Sequence, residues 1–154
     1  MAVKNTGRTF GRIIFPTDFS PSSENAARYA FMVARQNRAT LHVLHIVDVS
    51  SEPAGFYVPH LSYEILDAEM EKAATDMLKA FCVKFFKGYK NLEQSVAVGV
   101  PYKAILKIFK DSGADLIVIG ASGRGGVDKF LFGSTTERVM RKAGCPMLVI
   151  PPPK

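Results

Sequence analysis

Five short apolar runs, spaced by longer segments of helical periodicity, leave this chain few folds to choose from. The runs are Ile13 to Phe15, Leu41 to Val47, Ser95 to Val98, Leu116 to Ile119 and Met147 to Ile150. Short runs of this composition read as strands. Leu116 to Ile119 and Met147 to Ile150 are Leu, Ile and Val without strict alternation, which suits strands covered on both faces in a parallel sheet. Between the runs lie helices. Ser20 can cap the first, with Pro21 at its opening position and Ala26, Ala30, Val33 and Ala34 along one face. In the second, Leu66, Met70, Ala73, Met77, Phe81 and Phe85 step by three or four up to Gly88, a stripe read as core packing. Pro101 opens the third, which carries Ala104, Ile105, Ile108 and Phe109 and ends at Gly113. The fourth runs from about Thr135 to Ala143, stopped by Gly144 and Pro146. The resulting βαβαβαβαβ order predicts one parallel sheet with helices on both faces.

The chain has 154 residues, the size of one domain, and no repeat or linker divides it. No apolar run approaches the roughly 20 residues that span a bilayer, and Met1 to Arg12 is polar, so the expected setting is cytoplasmic. Cys82 and Cys145 lie far apart without a partner pattern and read as packing residues rather than a disulfide or metal site. The net charge is +6. Between Gly123 and Lys142, five cations (Arg124, Lys129, Arg138, Arg141, Lys142) face two carboxylates (Asp128, Glu137), so half the excess sits in this one segment. That favours a compact anion over a nucleic acid, which would want a basic stripe with interleaved aromatics. Val49 to Leu61, with Pro53, Gly55 and Pro59 beside Phe56 and Tyr57, reads as a mobile loop. It suits a lid, a partner contact or an ordinary surface loop.

Ligands of such sheets sit beyond the carboxyl ends of the strands, where strand order reverses. The residues placed there are Pro16, Thr17 and Asp18, then Val47 and Asp48, Gly99, Gly120 to Gly126, and Pro151. Among them Gly120-Ala121-Ser122-Gly123-Arg124-Gly125-Gly126 is the strongest signal, because glycines let consecutive amides approach one anion. Gly133-Ser134-Thr135 then opens a helix, whose first amides and positive dipole end also suit phosphate. Ser134-Thr135-Thr136-Glu137 fits a capping box as well, so the hydroxyls have two candidate roles. Asp18 could accept hydrogen bonds from ribose hydroxyls or an adenine amino group, or cap the first helix. Arg124 could serve the phosphates or simply be solvated. The chain lacks G-x-x-x-x-G-K-[ST], a G-x-G-x-x-G after its first strand, and the G-x-S-x-G elbow. His42, His45 and His60 have no metal spacing, and His42 and His45 read as core or edge residues.

These residues resemble the universal stress proteins. The likeness runs from Arg12 to Pro151 and is carried by Ile13-Ile14-Phe15-Pro16-Thr17-Asp18-Phe19-Ser20, by Leu44-His45-Ile46-Val47-Asp48, and by the motif G-x-x-G-x(9)-G-[ST], met at Gly120, Gly123, Gly133 and Ser134. The fold then expected is a single doubly wound domain with strand order 3-2-1-4-5. The resemblance is to the branch that keeps this motif and binds ATP. It implies that Asp18 and the backbone near Ile46 hold adenine and ribose, and that Gly120 lies against the ribose. Ser122, Gly123, Arg124, Gly133, Ser134 and Thr135 would surround the phosphates of ATP, ADP or AMP, with Mg2+ or Mn2+ held through them. It also implies a homodimer joined through Met147 to Ile150 and a protein partner of unspecified identity. Three functions follow as expectations: a nucleotide-responsive stress or signalling module, with Phe130, Leu131 and Phe132 coupling the glycine loop to the core; a slow ATPase or self-phosphorylating enzyme acting on Ser134, Thr135 or Thr136; and a nucleotide-free dimeric adaptor.

Overall fold

The computed structural model describes residues 9–50, 60–123 and 132–154, with the backbone alone over 60–67. In chain order the elements are β1 (Arg12–Pro16), α1 (Pro21–Asn37), β2 (Thr40–Asp48), α2 (His60–Phe86), β3 (Leu92–Gly99), α3 (Pro101–Ser112), β4 (Leu116–Gly120), α4 (Ser134–Lys142) and β5 (Met147–Ile150). The strands form one sheet in the order β3-β2-β1-β4-β5, and every neighbouring pair is parallel. β1 lies at the centre, with Ile13, Ile14 and Phe15 fully buried, as a strand covered on both faces requires.

The chain first winds from β1 to β3, then returns past β1 to β4 and β5. Crossovers of one hand must therefore place the two halves on opposite faces. Strand alternation divides the core accordingly. Ile13, Phe15, Leu41, Val43 and Val118 pack with α1 and α2, while Ile14, Leu44, Ile46, Ile117 and Ile119 pack with Ile105 of α3 and Val139 of α4. β1 and β4 are where the winding reverses, so the loops that follow them converge at one end of the sheet.

α1 begins as its sequence dictates: Ser20 Oγ accepts the Ser23 N–H at 3.2 Å, and Pro21 holds the first position. Its buried face is alanine (Ala26, Ala27, Ala30, Ala34), which lets the helix lie close on the sheet.

Three local expectations need correction. The apolar stripe of α2 is rotated from the one expected. Ala74, Leu78, Phe81, Cys82 and Phe86 are buried, Phe85 is partly so, whereas Met70 and Met77 are about half exposed at 46% and 48% and Ala73 is exposed. Two adjacent apolar stripes share this helix. The aromatic contacts of Phe81 and Phe86 with Phe15, at ring separations of 6.2 and 6.0 Å, fix which one faces inward. β3 starts at Leu92 rather than Ser95, because an edge strand needs no apolar residues at Glu93 and Gln94 to pair with His42 and Val43. His60 and Leu61 belong to α2 rather than to the preceding loop, of which Val49 and Ser50 are exposed and 51–59 lies outside the described residues. No helix among the described residues is long and apolar enough to cross a membrane.

Candidate functional site

The first wall of the site is the turn after β1. Pro16, the last residue of β1, is paired in register with Leu44 and buried. Thr17 is buried and held on all sides: its N–H donates to Leu44 O at 2.8 Å, its Oγ1 accepts the Phe19 N–H at 3.1 Å, and that hydroxyl meets Ser23 Oγ at 3.0 Å. Asp18 Oδ1 accepts the Ser20 N–H at 3.0 Å, which orients the carboxylate without making it the cap of α1; Ser20 is the cap. Phe19 adopts φ +62°, a left-handed conformation that costs a non-glycine residue free energy.

His45 holds this turn, a role its place in an apolar strand does not announce. Its Nδ1 lies 2.8 Å from Thr17 O, and since a carbonyl only accepts, Nδ1 carries the proton. Its ring stacks on Phe19 with centroids 4.4 Å apart, and Phe19 in turn packs on Phe81 at 5.6 Å. The strained residue is thus clamped between β2 and α2. Beside it, Ile46 sits near the carboxyl end of β2, with its side chain in the core and its backbone paired to Ala97.

The second wall is the loop after β4. Ala121 N–H donates to Ile150 O at 2.7 Å, Gly133 N–H donates to Ala121 O at 2.8 Å, and the buried Thr136 Oγ1 donates to Gly120 O at 2.8 Å. Both ends of the loop are therefore tied to one point. The three motif glycines are there for close approach, each to a different neighbour. A Cβ on Gly120 would lie 2.9 Å from Ser22 Oγ and 3.2 Å from the Ser22 backbone. On Gly123 it would lie 2.8 Å from Asp18 Oδ2, and on Gly133 it would lie 3.4 Å from Gly123 N. The need for glycine at 120 thus comes from the packing of β4 on α1. Gly123 brings the two walls together.

α4 opens beyond this loop. Gly133, not Ser134, is its N-cap; no side chain caps the helix, and Glu137 pairs with Arg141 at 2.9 Å instead of reaching back. The capping box is therefore not formed. The exposed Ser134 and half-buried Thr135 stand in the first turn, whose leading amides have no acceptor within the helix. Around the Gly123 and Gly133 backbones, Ser122 is half-buried and offers a further hydroxyl. Arg124, Gly125, Gly126, Phe130 and Leu131 lie outside the described residues, and Phe132 is exposed.

The arrangement offers backbone N–H groups, a helix start and hydroxyls on one side and a carboxylate on the other. That donor set suits an anion joined to a hydroxyl-bearing or amino-bearing group. Among the described residues no group of three His, Cys, Asp or Glu could hold a metal ion. Cys82 is buried, which pushes its thiol up to about 11, and burial also raises that of Cys145.

The Universal stress protein family model matches residues 9–151. The Universal stress protein MJ0531 of Methanocaldococcus jannaschii is 30% identical over 152 residues, which is 99% of this chain and 88% of that one. The solved structure of MJ0577 from the same organism superposes with a TM-score of 0.75 at 26% identity, covering 93% of this chain and 96% of that one. A universal stress protein from Archaeoglobus fulgidus, solved in complex with dAMP, gives a TM-score of 0.57 at 22% identity over 93% of this chain and 99% of that one; at that identity the likeness is one of fold.

Proposed function

The chain belongs to the universal stress protein family, and we propose on that footing that it is a cytoplasmic, nucleotide-responsive stress or signalling module binding an adenine nucleotide, ATP or its di- or monophosphate, where β1 and β4 diverge. The observation that carries this reading is the meeting at Gly123: the Asp18 carboxylate on one side, and on the other Gly133 and the uncapped start of α4. Asp18 would accept hydrogen bonds from the ribose, and the backbone near Pro16, Thr17 and Ile46 would face the base. The amides of Gly123, Ser134 and Thr135 and the hydroxyls of Ser122, Ser134 and Thr135 would receive the phosphates, with Arg124 supplying a cation. Mg2+ or Mn2+ would be held through the phosphates. The nucleotide complex of the Archaeoglobus fulgidus protein supports the view that this fold can hold an adenine nucleotide.

ATP at a hundredfold excess over its dissociation constant should stabilise the protein by roughly 2.7 kcal/mol, read as a rise in melting temperature. Gly123→Val with Ser134→Asp should remove the shift and keep the fold. The first change displaces Asp18; the second puts a carboxylate where phosphate would sit, at a helix start that tolerates it. No shift at millimolar ATP overturns the reading. Native mass spectrometry of freshly purified protein reads two things at once: the mass of a carried-over nucleotide, and whether the protein is a dimer. A dimer through Met147 to Ile150 is part of the proposal, supported by the position of β5 at the sheet edge, where it pairs with β4 and leaves Met147, Leu148 and Val149 only half-buried.

A further inference from the structure

The two helical layers carry very different charge. α3 and α4, on one face of the sheet, hold six cations against two carboxylates, a net +4 out of the +6 of the whole chain. α1 and α2, on the other face, hold five cations against six carboxylates. Both carboxylates of the basic layer are already used, Asp111 by Lys107 and Glu137 by Arg141. Lys103, Lys110, Arg138 and Lys142 are exposed and have no ion-pair partner among the described residues.

Where the two helices meet, Arg138 Cζ and Lys142 Nζ stand 5.2 and 5.3 Å from the ring centre of Tyr102. The ring attracts each cation, but the two are one helical turn apart, a spacing at which like charges repel. An arriving carboxylate relieves that repulsion, and the Arg138 fork can bind it through two parallel hydrogen bonds.

We propose that the α3–α4 face is a docking surface for an acidic, Glu- or Asp-rich segment of a partner protein, centred on Arg138 and Lys142 over Tyr102. A nucleic acid fits less well. Single strands are held by bases stacked on accessible aromatics, and here the half-buried Tyr102 has its ring taken by two cations while Phe109 is partly buried in the core. Steering by such a one-sided field raises the rate of encounter and falls with salt.

The test is fluorescence anisotropy with the full chain and a labelled Glu-rich dodecapeptide at low salt, with dodecathymidylate as the competing polyanion. The peptide should bind, and more tightly than dodecathymidylate. Arg138→Glu with Lys142→Glu should weaken it by roughly tenfold or more. Lys72→Glu with Lys79→Glu, the same change of net charge placed on α2, should weaken it by less than about twofold. Arg138→Gln with Lys142→Gln serves as the second variant if the reversed pair lowers the melting temperature. Equal loss in the α4 and α2 variants would show a response to net charge alone and overturn the proposal. Tighter binding of dodecathymidylate, or no peptide binding at all, overturns it as well.

Discussion

Gly120 and Gly123 stand three residues apart in one motif, yet their neighbours give them different tasks. At Gly120 a methyl group would press on the Ser22 backbone at 3.2 Å, and backbone between a helix and a strand cannot give way cheaply. Gly120→Ala should therefore cost roughly 1–3 kcal/mol of stability, measured by urea unfolding. At Gly123 the obstacle is Asp18 Oδ2, the far end of a half-buried side chain, which gives way more cheaply than backbone does. Gly123→Ala should keep the unfolding midpoint near that of the parent protein and weaken nucleotide binding, read by titration calorimetry. Equal loss of stability in the two variants would contradict this division. Asp18 itself is placed by small groups of bonds: the Ser20 N–H on its carboxylate, and His45 on the carbonyl just before it.

Among the elements, α2 shows best what periodicity alone cannot decide. Met70, Ala73 and Met77 fall on a helical spacing as good as that of Ala74, Leu78 and Phe81, so the sequence contained two readable stripes. Only contacts with residues distant in sequence select between them, as where Phe86 packs edge-on against Phe15 and Phe31. Leu78 is 1% exposed, and Leu78→Ala should cost roughly 2–5 kcal/mol in denaturant unfolding; Met77→Ala, at a residue 48% exposed, should cost well under 1 kcal/mol. Strand number and helix starts are legible because each rests on local signals: Pro21 and Pro101 at helix openings, Ser20 as a cap, and unbroken Leu, Ile and Val in β4 and β5; the sheet order follows from the family resemblance and not from these signals. The capping box expected at Ser134 does not form, for a related reason. Glu137 has two chemically equivalent uses, and the choice of Arg141 over the helix start depends on which residue, Gly133 or Ser134, ends the preceding loop. The role of His45 is not legible in the sequence because its partner, Thr17 O, is a main-chain atom that no residue pattern can signal.

For the molecule as a whole, acid sensitivity should trace in part to His42. Its Nε2 meets Ser95 Oγ at 2.7 Å, its buried Nδ1 has no partner among the described residues, and burial lowers its pKa, with Glu93 opposing that effect and Arg12 adding to it. The native ring thus stays neutral at pH values where the unfolded ring, with a pKa of about 6.5, already takes up a proton. Stability from this group is intact above about pH 6.5 and falls as the pH drops below it. Glu93, whose carboxyl is lowered by its hydrogen bonds to Arg12, contributes above its unfolded pKa and loses that contribution only in a more acidic range. The melting temperature should therefore decline as the pH falls below about 6.5, and His42→Gln, which keeps a donor toward Ser95, should flatten that decline. An unchanged slope would place the acid sensitivity elsewhere. The glycines of the site have a bearing on history as well as on binding. Because Gly120 is held by the seating of β4 against α1, selection for a folded protein preserves it even in a lineage that no longer needs a ligand. Gly123 and Ser134 enjoy no such protection, so they are the positions where drift would first record that the nucleotide had been given up.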